Sequence, residues 1–242
     1  NESIILSRSF FVVVFSPFTL STNGLGSLLA TTSTFGTPTN GALLEVGRPY
    51  TITATPGPGH VLSNWTGTAT YSDIAKLTFT MQSNTVLTAN FIPNPFIPAE
   101  GIYNGLFYEP EPVGVQNHSA GFFTMKLKTN FTFSGKLMLD GDAISMSGKF
   151  NVDGSLNKTV SRAKQGKPDI IVGLDLNLGT SNGVTGYVEQ RTAWVSELLG
   201  DKAIYSKTNN APAKYVGRYT MVFPKGTEPA LERAGYGYGL VS

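Results

Sequence analysis

The chain has 242 residues, and its 18 Lys and Arg against 16 Asp and Glu leave a formal net charge of +2, with only 14% of residues charged. The absence of Cys and the presence of only two His exclude disulfides, thiolate metal sites and a Cys nucleophile, and leave almost no material for a histidine metal cluster. No basic run marks a nucleic-acid surface and no stretch approaches the roughly 20 apolar residues of a membrane helix, so neither nucleic acid nor membrane insertion is expected.

The rest of the composition is rich in Gly (27 of 242 residues), Thr, Ser, Asn, Val and aromatics, which is the composition of an all-β protein. The first predicted element is the apolar run Phe10, Phe11, Val12, Val13, Val14 and Phe15, bracketed by Arg8 and Pro17. Without a basic segment before it or an Ala-x-Ala site after it, this run reads as a strand and not as a signal peptide. Further on, Ala42–Val46, Tyr50–Thr55, His60–Thr66, Lys76–Met81 and Thr85–Phe91 alternate apolar and polar residues. Turn chemistry separates several of them, chiefly Pro56-Gly57-Pro58-Gly59 and Ser83-Asn84. The pattern predicts an antiparallel sheet of about five strands with one face in a core.

Pro93, Pro95 and Pro98 then deny backbone donors and favour extended geometry. Residues 94–100 are therefore expected to be a stiff linker after a first module at 1–93. From Gly101 the strands lengthen, and Asp140-Gly141, Asp153-Gly154 and Ser181-Asn182-Gly183 punctuate them, predicting an antiparallel barrel or sandwich over 101–212. Ala193–Gly200 could be a short helix, but its flanks favour a strand.

Two internal echoes organise this region. Phe131-Thr-Phe-Ser-Gly-Lys-Leu137 resembles Ile144-Ser-Met-Ser-Gly-Lys-Phe150, as the two arms of a hairpin would. Gly101, Tyr103, Phe107 and Gly121 recur as Gly217, Tyr219, Phe223 and Gly237 at one constant offset. Residues 213–242 are thus expected to start a second copy of the unit. An incomplete copy leaves an open edge, to be completed by another strand, another chain or the rest of a longer protein.

The residues themselves carry a family resemblance over Phe18–Phe91. Gly24 and Gly26 open it; Gly47, Tyr50, Ile52, Ala54 and Pro56 follow, then Gly59, Trp65 and Gly67, and finally Met81, Asn84, Val86, Ala89 and Phe91. This ordered pattern resembles the divergent internalin-type B repeat, a small β-grasp-like module of bacterial surface and secreted proteins. The resemblance implies a role in spacing, adhesion or surface display and brings no catalytic residues. From Gly101, the opening Gly-x-Tyr-x-Gly-Leu-Phe resembles a β-rich module of exported proteins of environmental bacteria, for which no activity is implied.

Candidate chemistry is sparse. Trp65 could stack on a sugar ring, as could Tyr236 and Tyr238, which period two places on one face; core packing or a subunit contact is the plainer reading of all three. His60 and His118 have no partners for a triad. Asp140 and Asp142 flank Gly141 in a turn but lack the further oxygens that calcium needs, and Glu109 and Glu111 lie between prolines. Sequons at Asn64, Asn117, Asn130 and Asn157 are too common in such a composition to carry weight.

The expectation is a non-enzymatic, cofactor-free extracellular structural protein: a surface, matrix or filament subunit, or an adhesin segment. Phe10–Phe15 with Tyr236, Tyr238, Leu240 and Val241 are the residues expected to mediate self-association by strand addition. The alternative is a carbohydrate-binding accessory region of a secreted polysaccharide-degrading enzyme, with glycan held by Trp65, Tyr236 and Tyr238.

Overall fold

The computed structural model describes residues 12–68, 71, 73–179, 183–205, 217–223 and 235–241. It is all-β, with 59% of the described residues in strands and almost no helix among them, and divides into two compact units, Asn1–Asp201 and Lys202–Ser242.

The first eight strands are β1 (Phe15–Pro17), β2 (Thr19–Asn23), β3 (Gly26–Ala30), β4 (Leu43–Glu45), β5 (Pro49–Pro56), β6 (His60–Gly67), β7 (Lys76–Thr80) and β8 (Val86–Pro93). They do not form the single antiparallel sheet expected from their alternation. Two three-stranded sheets, β2-β8-β6 and β3-β5-β7, accompany the β1-β4 pair, and β2 runs parallel to β8 from Thr19↔Val86 to Asn23↔Asn90. Alternation specifies which face is buried and leaves the partner open. The inward alternates of both small sheets meet in one core that includes Tyr50, Phe79, Trp65 and Phe91, where Phe18 stacks on Phe79 at 5.2 Å. The turn between β2 and β3 needs glycine, because Gly24 has φ +82 and a Cβ there would lie 2.0 Å from the Phe91 carbonyl oxygen.

After β8 the chain makes one helical turn, α1 (Phe96–Ala99), where an extended linker was expected. Asn94 organises this joint. Its backbone N–H donates to the Gly59 carbonyl at 2.8 Å, its Nδ2 donates to the Thr129 carbonyl at 2.9 Å, and its Oδ1 accepts from the Phe96 N–H at 2.9 Å. Phe96 is fully buried and Ala99 nearly so, both within the core of the following barrel. Asn94→Ala removes both side-chain bonds and is expected to cost about 1–2 kcal/mol, read as a lower urea midpoint at unchanged slope. An unchanged midpoint would show that the joint is held by Phe96 alone.

The barrel strands are β9 (Gly101–Tyr108), β10 (Gly121–Leu127), β11 (Thr132–Leu139), β12 (Asp142–Lys149), β13 (Ser155–Val160), β14 (Ile170–Leu176), β15 (Gly183–Gln190) and β16 (Trp194–Lys202). The segment that competed as a helix is thus the last strand. All eight form one antiparallel sheet in the order β12-β11-β10-β9-β16-β15-β14-β13. The expected hairpin echo is the β11–β12 pair, which runs from Thr132↔Lys149 to Leu139↔Asp142. The first and last strands are neighbours and the sheet's free edges, β12 and β13, follow each other in the chain, so the barrel is nearly closed.

Small residues allow the β9–β16 approach: a Cβ on Gly105 would lie 2.2 Å from the Leu199 carbonyl oxygen and 2.3 Å from the Phe123 ring. Inward alternates such as Phe107, Phe123, Leu137, Val172 and Leu198 fill the interior. One end is plugged by Phe96, which packs 4.4 Å from Phe131. There the Tyr103 hydroxyl donates to the Ala99 carbonyl at 2.8 Å, and burial pushes its pKa up, keeping the donor protonated. Towards the other end the buried Ser196 hydroxyl donates to the Ser119 carbonyl at 2.6 Å, in the β9–β10 connection.

The second unit contains the hairpin of β17 (Gly217–Phe223) and β18 (Gly235–Val241).

Candidate functional site

Of the residues expected to mediate assembly, Phe10 and Phe11 lie outside the described residues. Val12, Val13, Val14 and Phe15 are exposed, Val12 by 84% and Phe15 by 56%. The end of this run is anchored within the chain: the Val46 N–H donates to the Val14 carbonyl at 2.8 Å and Phe15 pairs with Glu45 across β1 and β4. The next residue, Ser16, is buried and accepts from the Asn84 N–H at 2.8 Å. Phe15 is therefore already paired on one side.

Tyr236, Tyr238, Leu240 and Val241 lie on β18, where the backbone is described and the side chains fall outside the description. Gly217 pairs with Val241 and Phe223 with Gly235, as Gly101 pairs with Leu127 and Phe107 with Gly121. The hairpin thus repeats the β9–β10 pairing. The counterpart of Gly121 is Gly235 and not the expected Gly237, because the connection 224–234 is two residues shorter than 108–120.

The expectation for Trp65 as a sugar platform is corrected. It sits on an inward alternate of β6, is 0% exposed, and its Nε1 donates to the Ile74 carbonyl at 2.9 Å. No ring face is open to a ligand. Leu62, where the family has an aromatic, is buried in the same core. His60 Nδ1 lies 3.0 Å from the Pro58 carbonyl oxygen, and His118 is exposed in the β9–β10 connection.

Asp140 and Asp142 form an ion-pair site. Asp140 and Gly141 both have positive φ, the two-residue turn that Asp-Gly favours. Lys167 Nζ, from the β13–β14 connection, lies 2.8 Å from Asp140 Oδ2 and 2.7 Å from Asp142 Oδ2. It also donates to the Asp140 carbonyl at 2.8 Å. One ammonium thus closes the seam between β12 and β13, where strand pairing is missing.

The hydrogen bond from Lys167 holds the Asp140 carboxyl below the ordinary carboxylate value of 3.8, and the hydrogen bond to Asp140 raises Lys167 above 10.5. A depressed acid stabilises above its unfolded pKa and loses that effect as pH falls through the folded value. A raised base stabilises below its unfolded pKa and loses that effect as pH rises through the folded one. The seam is thus strongest between these limits. Lys167→Met is expected to lower the thermal midpoint there and to flatten its fall below pH 3.8. Superimposable pH profiles for the variant and the parent would show that the seam is held otherwise.

The outward face of β9–β12 bears features that strand patterning alone does not foretell. The registers place Leu106, Phe122 and Met138 side by side across β9, β10 and β11. All three are exposed, by 59%, 38% and 44%. With Val115 and Tyr108 they border an open hollow of about 550 Å³. Beside this row lie Asn104, Thr124, Lys136 and Ser145, then Ile102, Lys126, Ser134 and Ser147. These two rows border a second hollow of about 640 Å³. The signal in the sequence is that Leu106-Phe107-Tyr108, Phe122-Phe123 and Leu137-Met138-Leu139 are apolar on both alternates, where a water-washed face needs polar ones.

Residues 26–95 match the Divergent InlB B-repeat domain family. The matched segment runs from β3 through β8 to the joint at Asn94, and it includes the buried Trp65 and the glycines Gly47, Gly59 and Gly67 of the resemblance, but not the Gly24 turn. No curated protein and no solved structure matches the chain.

Proposed function

We propose that the chain is a non-enzymatic structural segment of an exported bacterial surface protein, in which a B-repeat domain and a barrel serve as building units that associate with copies of themselves. The observation that carries this reading is the B-repeat match over residues 26–95, a family associated with bacterial surfaces. The repeated hairpin supports it, since Gly217↔Val241 and Phe223↔Gly235 reproduce the pairing that opens the barrel, and reiterated units suit a spacer or filament. The carboxylates at Asp140 and Asp142 are committed to Lys167, which favours a structural role for that turn.

The test is protease shaving and antibody labelling of intact cells that make the protein. Labelling without permeabilisation, and release of barrel peptides, are expected. Signal only after lysis would overturn the surface assignment.

A further inference from the structure

Charge is sorted by side on the barrel. The outward charged residues of β10–β12 are Lys126, Lys136 and Lys149, all exposed. Those of β14–β16 are Asp175, Glu189, Glu197 and Asp201. β9 has no charged residue, and the outward alternates of β13 are Ser155, Asn157 and Thr159. The remaining strand charges, Asp142, Lys158 and Lys202, occupy the inward alternates, and Asp142 is held by Lys167. In the circular order of strands β11 is four positions from β15 either way, so the two walls lie on opposite sides of the barrel.

Surfaces that only need to stay in solution intersperse the two signs. Here the strands of each wall carry one outward sign and also expose apolar side chains: Phe122 and Met138 in the row beside Lys136, and Val195 and Leu199 on the same strand face as Glu197. The opposed charges are also comparable in number, three lysines on one wall and four carboxylates on the other. Opposed complementary walls on one body cannot satisfy each other in a two-fold pair; they match head to tail, which does not close.

We infer that the lysine wall of one barrel docks on the acidic wall of a second copy of this chain, so that successive barrels stack in a row. This rests on the self-association in the proposed function and specifies its surface.

The test uses the full chain, a Lys126→Glu/Lys136→Glu variant and a Glu189→Lys/Glu197→Lys variant, each checked for parental thermal unfolding and followed by sedimentation velocity. The parent is expected to form concentration-dependent oligomers at low salt that dissociate at about 1 M salt, where screening acts within about 3 Å. The lysine-wall variant is net negative on both walls, and in the acidic-wall variant two new lysines cancel Asp175 and Asp201, so each alone is expected to associate at least about tenfold more weakly. An equimolar mixture of the two variants is expected to restore oligomers.

A parent that stays monomeric at low salt, variants that associate like the parent, or a mixture that remains monomeric would each overturn the inference. If the monomeric parent instead binds a polyuronate probe through Lys126 and Lys136, the lysine wall serves an acidic polysaccharide. Cell-surface labelling does not depend on these charges, so failure there and failure here are separate results.

Discussion

Replacing Phe96 by alanine is expected to destabilise the barrel by about 3–5 kcal/mol, although Phe96 belongs to none of the barrel's strands. The side chain is 0% exposed and packs against Phe131 at 4.4 Å and Phe150 at 6.3 Å, and α1 is held against the barrel end by the Tyr103 hydroxyl. Truncation leaves a void at the end of a nearly closed barrel, whose paired staves cannot collapse inward without breaking their pairing. Urea unfolding monitored by circular dichroism reads the effect, with Ile97→Ala as the control because Ile97 is 51% exposed on the same turn. Equal small losses in both variants would mean that α1 is a passive connection.

Trp65→Ala is expected to cost a similar 3–5 kcal/mol in the segment that matches the B-repeat family. It deletes the largest fully buried side chain and also leaves the Ile74 carbonyl without its indole donor. Trp65→Phe keeps most of the volume and loses the donor, so its smaller cost isolates the hydrogen bond, about 1 kcal/mol. The readout is the urea midpoint together with amide exchange on β6 and β8. Wild-type protection in Trp65→Ala would contradict a core role and return Trp65 to the surface.

Much of this architecture could be read from residue order. His60–Thr66 became β6 at His60–Gly67, and Lys76–Met81 became β7 at Lys76–Thr80, because period-two alternation and glycine-bearing turns act locally. What alternation does not encode is partnership. The parallel β2–β8 pair joins residues over sixty positions apart, and the β9–β16 closure needs the coincidence of Gly105 with Gly200. Reading Pro93, Pro95 and Pro98 as a stiff spacer overlooked Phe96, whose burial outweighs the preference of its neighbours for extended backbone. Trp65 reads in sequence as either a ligand platform or a core residue, because an aromatic on a strand looks the same whichever face it takes. The lysine and carboxylate walls were invisible for the same reason: only register shows that Lys126 and Lys136 lie in adjacent rows of one wall.

The parallel β2–β8 pair and the antiparallel β9–β16 closure answer differently to tension. In the first module, β2 enters and β8 leaves at opposite ends of two side-by-side strands, so a pull along the chain loads all their hydrogen bonds together, in shear. In the barrel, β9 and β16 are antiparallel neighbours, so the chain enters and leaves at the same end and a pull opens their bonds one after another, like a zip. Under load the barrel is expected to give way first and release slack, while the first module stays folded as the stiffer link.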